Sequence, residues 1–320
     1  MMKKQFEIYQ LFPNKGYLMH GYLVKTPNDK IVVIDGGNEI YMEKPYIQWA
    51  IRAILGLKKD DYFEVDAWFL SHGHNDHYGE LSKLLNEYDK DSNFKIKNFY
   101  FDFPDFVNSK FHVSDYRVES IDNLKKGLDN YANVNGISYN NSYYDTLNGA
   151  VINAESVKEG LTITIDGIDF KVLQTYDLVD DDQVNGNSLI IKVVASNGKG
   201  KSCLFLNDAS EISGARFLRT YDDVKCDIVQ MAHHGQAGVE KAVYDAVGAS
   251  LRLWPTPSWV WGNAVKFKIG EVRSWFGTDE FKQTESDFVG CLYEKYPEDP
   301  TNVDEWKSCV DGMKITVNIE

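Results

Sequence analysis

The segment SHGHNDHYGE, Ser71 to Glu80, places three histidines and an aspartate within six positions, although the whole chain of 320 residues has only seven histidines. The apolar run AWFL precedes it and predicts a buried strand, while the spacing of apolar residues in GELSKLLNEYDK predicts a helix after it. The motif therefore lies where a strand ends and a helix begins. As a chance cluster on a solvated loop it would arise in roughly one of a few thousand such chains.

Two pairs of side chains in this motif are spaced to bind cations. Alternate side chains of an extended segment share a face, so His72 and His74 can grip one cation. Where the chain turns into the helix, Asp76 and His77 become neighbours that can hold a second. Imidazole and carboxylate ligands without a thiolate suit zinc first, then manganese or iron. The sequence therefore predicts a site for two divalent metal ions.

Further ligands are expected at two later strand ends. KSCLFLND ends in Asn207 and Asp208, and CDIVQMAHHG ends in His233 and His234. The carboxyl ends of buried strands are where α/β folds gather their sites. Asp208 also precedes the helical segment ASEISGARF, and a role as helix N-cap is compatible with a role as metal ligand.

The rest of the chain predicts a layered α/β domain. QFEIYQLF, GYLMHGYLVKT and KIVVIDGG alternate like the strands of a β meander, and LTITIDGIDFKVLQTY and NSLIIKVVASNGKGKSCLFLND like two hairpins. Together with the helical segments, they favour two sheet-and-helix halves in a single domain over residues 1–320. Residues 103–160 are expected to form an insertion or lid, and residues 265–320 a C-terminal extension.

These motifs resemble the metallo-β-lactamase superfamily, whose pattern is an aspartate closing an early strand, then HxHxDH, an aspartate after a later strand and a last histidine. The matches run from Asp35 in IVVIDGG through SHGHNDH and Asp208 to HHG. The resemblance implies a four-layer αββα sandwich and a metal-dependent hydrolase. It implies these metal ligands: His72, His74, Asp76, His77, Asp208 and His234. It gives Asp35 a supporting role through hydrogen bonds, with an ordinary turn aspartate as the alternative.

Within the superfamily, the sequence is most similar to the metallo-hydrolase domain of DNA-uptake competence proteins and its soluble relatives, through VNGNSLII and the HHG ending. It departs from the pattern at Asn207 and Glu80, where glycines are usual, and an extra histidine is absent. One metal position is then short of a protein ligand, with Asn185 or Asn187 as a weak contact. The gap favours either an open position for water or weaker occupancy of that position.

The resemblance also implies a mechanism. A metal-bound hydroxide would be the nucleophile, and Asp76 or Asp208 would orient it. Either HHG histidine could bind metal, because the strand end leaves the orientation open. Comparison with related endings favours His234 as the ligand, and His233 would then protonate the leaving group. His20 lies in a predicted strand and is expected to be structural, whereas His112 lies in the predicted lid.

The segment WPTPSWVWGN concentrates three tryptophans and two prolines after a predicted strand. Packing in the core is the ordinary role of such residues. The alternative is that Trp254 and Trp259 form a rigid cleft wall that contacts substrate.

Charge and composition restrict the substrate and the compartment. The net charge of −14 and the pI of about 5.0 disfavour nucleic acid, whose backbone is bound by clustered Lys and Arg. A small phosphodiester is therefore expected, with a lactone, lactam or thioester as the second candidate and a non-catalytic metal-binding or sensor module as the third. No signal-peptide pattern or membrane span is visible, and four scattered cysteines indicate a reduced, cytoplasmic protein without membrane partners.

Overall fold

The computed structural model describes residues 5–11, 18, 20–38, 46–102, 121–136, 157–175, 184–293 and 297–319. The strands are β1 (Gln5–Gln10), β2 (Gly21–Lys25), β3 (Ile31–Asp35), β4 (Phe63–Val65), β5 (Ala67–Phe69), β6 (Phe94–Ile96), β7 (Phe99–Tyr100), β8 (Thr162–Ile165), β9 (Ile168–Gln174), β10 (Ile190–Ala195), β11 (Cys203–Phe205), β12 (Ile228–Gln230), β13 (Leu251–Trp254), β14 (Asp287–Val289) and β15 (Lys314–Asn318). The helices are α1 (Ile47–Ile54), α2 (Asn75–Asn86), α3 (Ile121–Asn135), α4 (Glu211–Thr220), α5 (Lys241–Val247), α6 (Ser258–Trp261), α7 (Ile269–Ser274) and α8 (Val303–Met313).

Two large sheets follow the same plan. The first has the order β15-β1-β2-β3-β5-β7, antiparallel up to β3 and parallel beyond it. The second has the order β14-β13-β12-β11-β10-β9-β8, antiparallel from β8 to β11 and parallel from β11 to β14. The predicted meander and both hairpins are confirmed. Each sheet therefore has a parallel part whose strand ends can carry a site.

Side-chain alternation sorts each sheet into two buried faces. Along β3, Val32 and Ile34 belong to the core between the sheets, whereas Ile31 and Val33 belong to the core beneath the helices. Along β10, Ile191 faces the other sheet and Ile190 faces the outer helices. Because every residue of β3 is buried, the strand has no polar face, as expected for a sheet covered on both sides. The result is the four-layer αββα sandwich that the sequence predicted.

The C-terminal segment contributes to both sheets. β14 extends the second sheet beside β13, and β15 pairs with β1 at the edge of the first sheet. Trp306 in α8 stacks on Tyr46 beside α1, with ring centroids 5.6 Å apart. The described part of the predicted C-terminal extension, residues 265–293 and 297–319, therefore contributes to both halves of the sandwich.

The predicted lid at 103–160 falls largely outside the described residues. Its described central part is α3, which packs closely on α2. A Cβ atom at Gly127 would lie 2.9 Å from the Cβ of Leu85, and Asn130 Nδ2 donates to the Leu85 carbonyl at 2.8 Å. This helix belongs to the outer layer of the first half.

None of the described helices combines the length and the apolar composition that a bilayer crossing requires.

Candidate metal centre

The predicted site residues meet at one end of the sandwich, where strands of both sheets end. β3 ends at Asp35, β5 leads into His72, and β11 leads into Asp208. A backbone hydrogen bond from Leu189 N to Ser71 O, at 2.9 Å, joins the two halves at this end. The layered fold thus brings together side chains that are far apart in the sequence.

Four residues at this end have left-handed backbone conformations although none is glycine. They are Asp35 (φ 59°), Asn207 (φ 50°), His233 (φ 50°) and His234 (φ 56°). Such conformations cost about 1–3 kcal/mol each and persist only where the surroundings enforce them, commonly at functional sites. Their clustering here indicates that function, rather than stability, determines the backbone conformation at these strand ends.

Asp35 holds His77 in one orientation. Its carboxylate accepts hydrogen bonds from Ser71 N, Ser71 Oγ and His77 Nδ1, each at 2.7 Å. With its proton on Nδ1, the His77 ring presents the Nε2 lone pair to the centre, which is how carboxylates support metal-binding histidines. Burial raises the pKa of Asp35, opposed by His77 and Ser71.

His234 is held in a similar way on the other side of the centre. Its Nδ1 lies 3.3 Å from the Pro255 carbonyl, which can only accept, so Nδ1 carries the proton. Its Nε2 lies 3.1 Å from Asp76 Oδ2 and 3.6 Å from Asp208 Oδ2. Burial lowers the pKa of His234, but Asp208 and Asp76 outweigh it and raise that pKa.

Asp208 stands between two groups of imidazoles. Its Oδ2 lies 3.3 Å from His77 Nε2 and 3.8 Å from His72 Nε2. Burial raises the pKa of Asp208, but His77 and His234 outweigh it and hold that pKa well below its ordinary value. The helix α4 is capped by Ser210 through a capping box with Ser213, so the N-cap role predicted for Asp208 beside its ligand role is wrong.

The side chains form two candidate metal positions that share Asp208. The first position consists of His72, His74 and Asp208, and the second of His20, His77, Asp208 and His234. Within each group, one ligand atom per residue lies within 4.8 Å of the others, and all these residues are buried. Asp76 borders the second position, with its Oδ2 3.9 Å from His77 Nε2.

The residues fit a divalent metal ion. Among the described residues, His77 Nε2, Asp76 Oδ1 and Asp208 Oδ1 are buried without a hydrogen-bond partner. Buried polar atoms are normally paired, and imidazole lone pairs that face carboxylates need a cation between them. Nitrogen and oxygen donors without thiolate are the set that zinc, manganese and iron accept. The unpaired His77 Nε2 is therefore an atom that would bind metal, within a set of donors suited to a divalent ion.

His233 lies outside the two metal positions, on the wall of an adjoining cavity of about 280 Å³. Its side chain is 24% exposed, its Nδ1 donates to the Ala237 carbonyl at 2.7 Å, and its Nε2 lies 4.0 Å from Asp208 Oδ2. Asn185 Nδ2 lies 3.2 Å from His233 Nε2 and lines the same cavity. The structure thus gives the two HHG histidines different surroundings, one in the centre and one at the cavity.

None of the remaining predicted positions is among the described residues that line this cavity. Trp254 is fully buried in the outer core and donates from Nε1 to Asp287, whereas Trp259 is 46% exposed and packs against Phe267. Within the described part of the chain, neither tryptophan is among the residues that line the cavity. Asn187 is buried in the turn Asn185–Asn187. His112 lies outside the described residues.

His20 is the residue that sequence reasoning missed. It precedes β2, is fully buried, and stacks on His77 with ring centroids 4.8 Å apart. Its backbone is fixed by His20 N to Asp76 O at 3.2 Å and by Gly36 N to His20 O at 3.0 Å. A lone histidine in a strand-like segment gives no local signal, so only the tertiary structure reveals its place.

Comparison with known proteins supports the fold. Residues 20–92 match the family profile described as "Metallo-beta-lactamase superfamily". This segment runs from His20 through Asp35 and the SHGHNDH motif to the end of α2 and beyond. Together with the four-layer architecture, the match defines the fold as the metallo-β-lactamase fold. Among curated proteins, no match to the sequence is found.

The solved structures that match are distant. A mutant of CmlA beta-hydroxylase is 10% identical with a TM-score of 0.41, and the alignment covers 80% of this chain and 46% of that one. A metallo-β-lactamase variant with a HARLDQ motif from Cronobacter sakazakii is 14% identical with a TM-score of 0.36, covering 66% and 70%. A protein of unknown function from Enterococcus faecalis is 12% identical with a TM-score of 0.36, covering 72% and 50%. This chain therefore spans less than half the length of the hydroxylase.

Proposed function

We propose that this protein is a metal-dependent hydrolase of a small phosphodiester, with two divalent ions, zinc first and manganese or iron as alternatives. The observation that carries the proposal is the pair of buried ligand groups that share Asp208 beside a cavity. The first position has three protein ligands, and catalytic metal sites keep such a position open for water or substrate.

Bound divalent ions would supply a nucleophile from water at neutral pH and polarise the electrophilic phosphorus centre. The chain's own residues supply orientation and proton transfer. Asp208 Oδ1 and Asp76 Oδ1, which have no partner among the described residues, can accept a hydrogen bond from the attacking water. Asp35 keeps the His77 ring oriented and does not itself contact substrate.

His233 is the proposed general acid. Its Nδ1 proton is fixed on the Ala237 carbonyl, so Nε2 is the atom that gains and loses a proton. Protonated at Nε2, the ring can donate to the leaving alkoxide, which is a stronger base than the imidazole. Asn185 Nδ2 can donate to Nε2 when the ring is neutral, and Asn185 Oδ1, which has no partner among the described residues, can accept from substrate in the same cavity.

The charge around the cavity supports a small substrate over a polynucleotide. Besides Asp208, its lining carries Glu211, Glu240 and Glu271, with Lys268 as the one lysine among the described residues that line it. Three carboxylates repel an extended polyanion, whereas one phosphodiester group can be placed beside Lys268 and the metal ions. The likeness of VNGNSLII and HHG to DNA-uptake competence proteins supports phosphodiester chemistry, and the charge restricts it to small molecules.

A cytoplasmic location without membrane partners completes the proposal. The four cysteines form no disulfide, which is typical of a reducing compartment.

The test combines metal analysis with a substrate panel. We expect purified protein, dialysed against zinc or manganese, to retain two ions by elemental analysis and to hydrolyse bis(p-nitrophenyl) phosphate. Nitrocefin and a homoserine lactone serve as the competing substrates. Turnover of either one in preference to the phosphodiester would overturn the substrate class, and bound metal without turnover of any would favour the non-catalytic module.

Two matched variant pairs test the roles of the residues. Asp208→Asn should lose metal and activity, whereas Asp222→Asn, which removes an exposed carboxylate, should change neither. His234→Ala should lose metal. His233→Ala should retain metal and lower kcat by about 10²–10⁴-fold, the usual contribution of a general acid. Equal loss of metal in the two histidine variants would contradict the assignment of His233.

A further inference from the structure

His20 lies in the buried centre without an assigned role. Its side chain is fully buried, yet Nδ1 has no hydrogen-bond partner among the described residues. An imidazole nitrogen left unpaired in a dry interior costs about 1–3 kcal/mol, so a purely structural histidine would be expected to pair it. Its ring also lies among other imidazoles, 4.8 Å from the His77 ring and 5.6 Å from the His234 ring between centroids.

The other nitrogen of His20 is already held. Nε2 lies 3.2 Å from Asn207 Oδ1, while Asn207 Nδ2 donates to the Leu189 carbonyl at 2.6 Å. The bond to the Leu189 carbonyl identifies Nδ2 as the donating end of the Asn207 amide and Oδ1 as the accepting end. His20 Nε2 therefore donates to Oδ1, and His20 Nδ1 keeps its lone pair. A metal-binding histidine commonly donates its other N–H to a fixed acceptor in this way.

We propose that His20 is a metal ligand at the second position, together with His77, His234 and Asp208. The inference rests on the metal binding of the proposed function and concerns the division of labour between the two ions. Three imidazoles and a carboxylate complete a four-coordinate set, which is typical of a closed, structural position. The first position, with His72, His74 and Asp208, keeps an open coordination place, so its ion alone would take part in catalysis.

The backbone makes this placement possible. β2 lies beside β3 in the first sheet, and the hydrogen bonds of His20 with Gly36 and with Asp76 tie its Cα to both the Asp35 turn and the start of α2. These bonds fix the His20 ring beside His77 and His234, the other imidazoles of the second position.

The decisive experiment counts metal-bound imidazoles in the wild-type protein. Long-range proton–nitrogen NMR of the histidine rings, recorded without metal and with two equivalents of zinc, reports which ring nitrogens bind. With His20, five of the seven histidines should show a metal-bound nitrogen: His20, His72, His74, His77 and His234. We expect the new signal at His20 Nδ1. Four metal-bound rings, with His20 unchanged, would overturn the proposal.

Variants then measure the contribution of His20 to affinity. His20→Phe keeps a ring to stack on His77, and we expect one zinc equivalent to be weakened by more than about 100-fold, beyond the effect of losing a supporting residue. Asn207→Gly removes the acceptor but suits the left-handed backbone, and we expect about 10–100-fold weakening. Tyr22→Phe, which alters the neighbouring ring 5.2 Å from His20, is the control and should bind both ions normally.

Folding and function are separated by two further readouts. Circular dichroism and thermal melting of each metal-free variant show whether it folds, and the wild-type NMR count decides the question if His20→Phe does not. Phosphodiester turnover is measured on the same wild-type sample. If His20 bound metal and no turnover were seen, the proposed substrate would be refuted and His20 would remain a ligand. If turnover were seen and His20 did not bind metal, the proposed ligand would be refuted and the substrate class would stand.

Discussion

The carboxylate of Asp35 offers the sharpest test of how the centre is oriented, because it belongs to neither candidate metal position but bonds His77 directly and contacts His72 through Ser71. In Asp35→Asn, an amide nitrogen must replace one of two oxygens. At the Oδ2 position it would face both the His77 Nδ1 proton and Ser71 Oγ, and at the Oδ1 position it would face the Ser71 N–H. Asparagine tolerates the left-handed conformation at this position, so backbone strain does not explain any effect.

The expected magnitude follows from the tautomer of His77. When Nδ1 loses its acceptor, the proton moves readily to Nε2, the atom that would bind metal. Loss of such a supporting residue costs about 10–100-fold in metal affinity, which is about 1.4–2.7 kcal/mol. Competition with a chromophoric chelator at neutral pH measures this change directly, with elemental analysis confirming the number of ions.

A close control exists in the β8–β9 turn. Asp166 also has a left-handed backbone (φ 52°) and accepts from a hydroxyl, Thr26 Oγ1, and from a backbone amide, Asn28 N, each at 2.7 Å. Asp166→Asn should leave metal affinity unchanged because its partners, Thr26 and Asn28, come after the C-terminal end of β2, whereas His20 precedes its N-terminal end. If Asp35→Asn bound metal as tightly as the parent, Asp35 would be an ordinary turn aspartate and the orientation argument would be refuted.

Three further predictions concern stability and backbone fit. Burial raises the pKa of Glu80 from 4.5 to about 8, so the folded protein holds a proton that the unfolded chain has lost, and stability falls as pH rises across that window. Glu80→Gln, which can still accept from Tyr46 N, should flatten this slope of up to about 1.4 kcal/mol per pH unit in urea titrations; an unchanged slope would contradict it. Gly235→Ala places a Cβ 2.6 Å from Trp254 at φ +78°, and should cost at least about 1–3 kcal/mol and displace His234, seen as lower melting temperature and metal content. Chelation should lower the unfolding free energy by about 2.7 kcal/mol relative to protein at a hundred times its metal Kd, and an equal melting temperature with and without metal would argue against binding to the folded state.

Much of the fold and part of the centre could be read from the sequence because the signals are local. SHGHNDH carries four candidate ligands within six consecutive positions, and the unbroken apolar run of β3 indicates that this strand is buried. Asp208 and His234 were expected near the motif from the rule that strand ends meet at one edge of a sheet. Their distances, 3.3 Å and 5.4 Å from the His77 nitrogen and ring centroid respectively, follow that expectation.

The features that could not be predicted from the sequence depend on contacts between distant segments. The position of His20 follows from its bonds to Gly36 and Asp76, and the sequence pattern of a strand says nothing about either. The tryptophans were ambiguous for the same reason. Trp254 belongs to the core because it closes over Gly235 and finds Asp287 for its indole N–H, which are contacts between separate strands.

The two departures from the family pattern, a missing histidine and an unexpected asparagine, account for each other if His20 is a ligand. The first position lacks an imidazole where VNGNS supplies Asn185, and Asn185 contacts His233 at the cavity. The second position gains an imidazole from His20, and Asn207, in place of the usual glycine, provides the acceptor that fixes its tautomer. Compared with the family pattern, the first position then has one imidazole fewer and the second has one more. The second position is therefore closed, and the first keeps an open coordination place. Asp208, which both positions share, lines the cavity together with His233, so a phosphodiester bound there would lie beside the candidate metal centre.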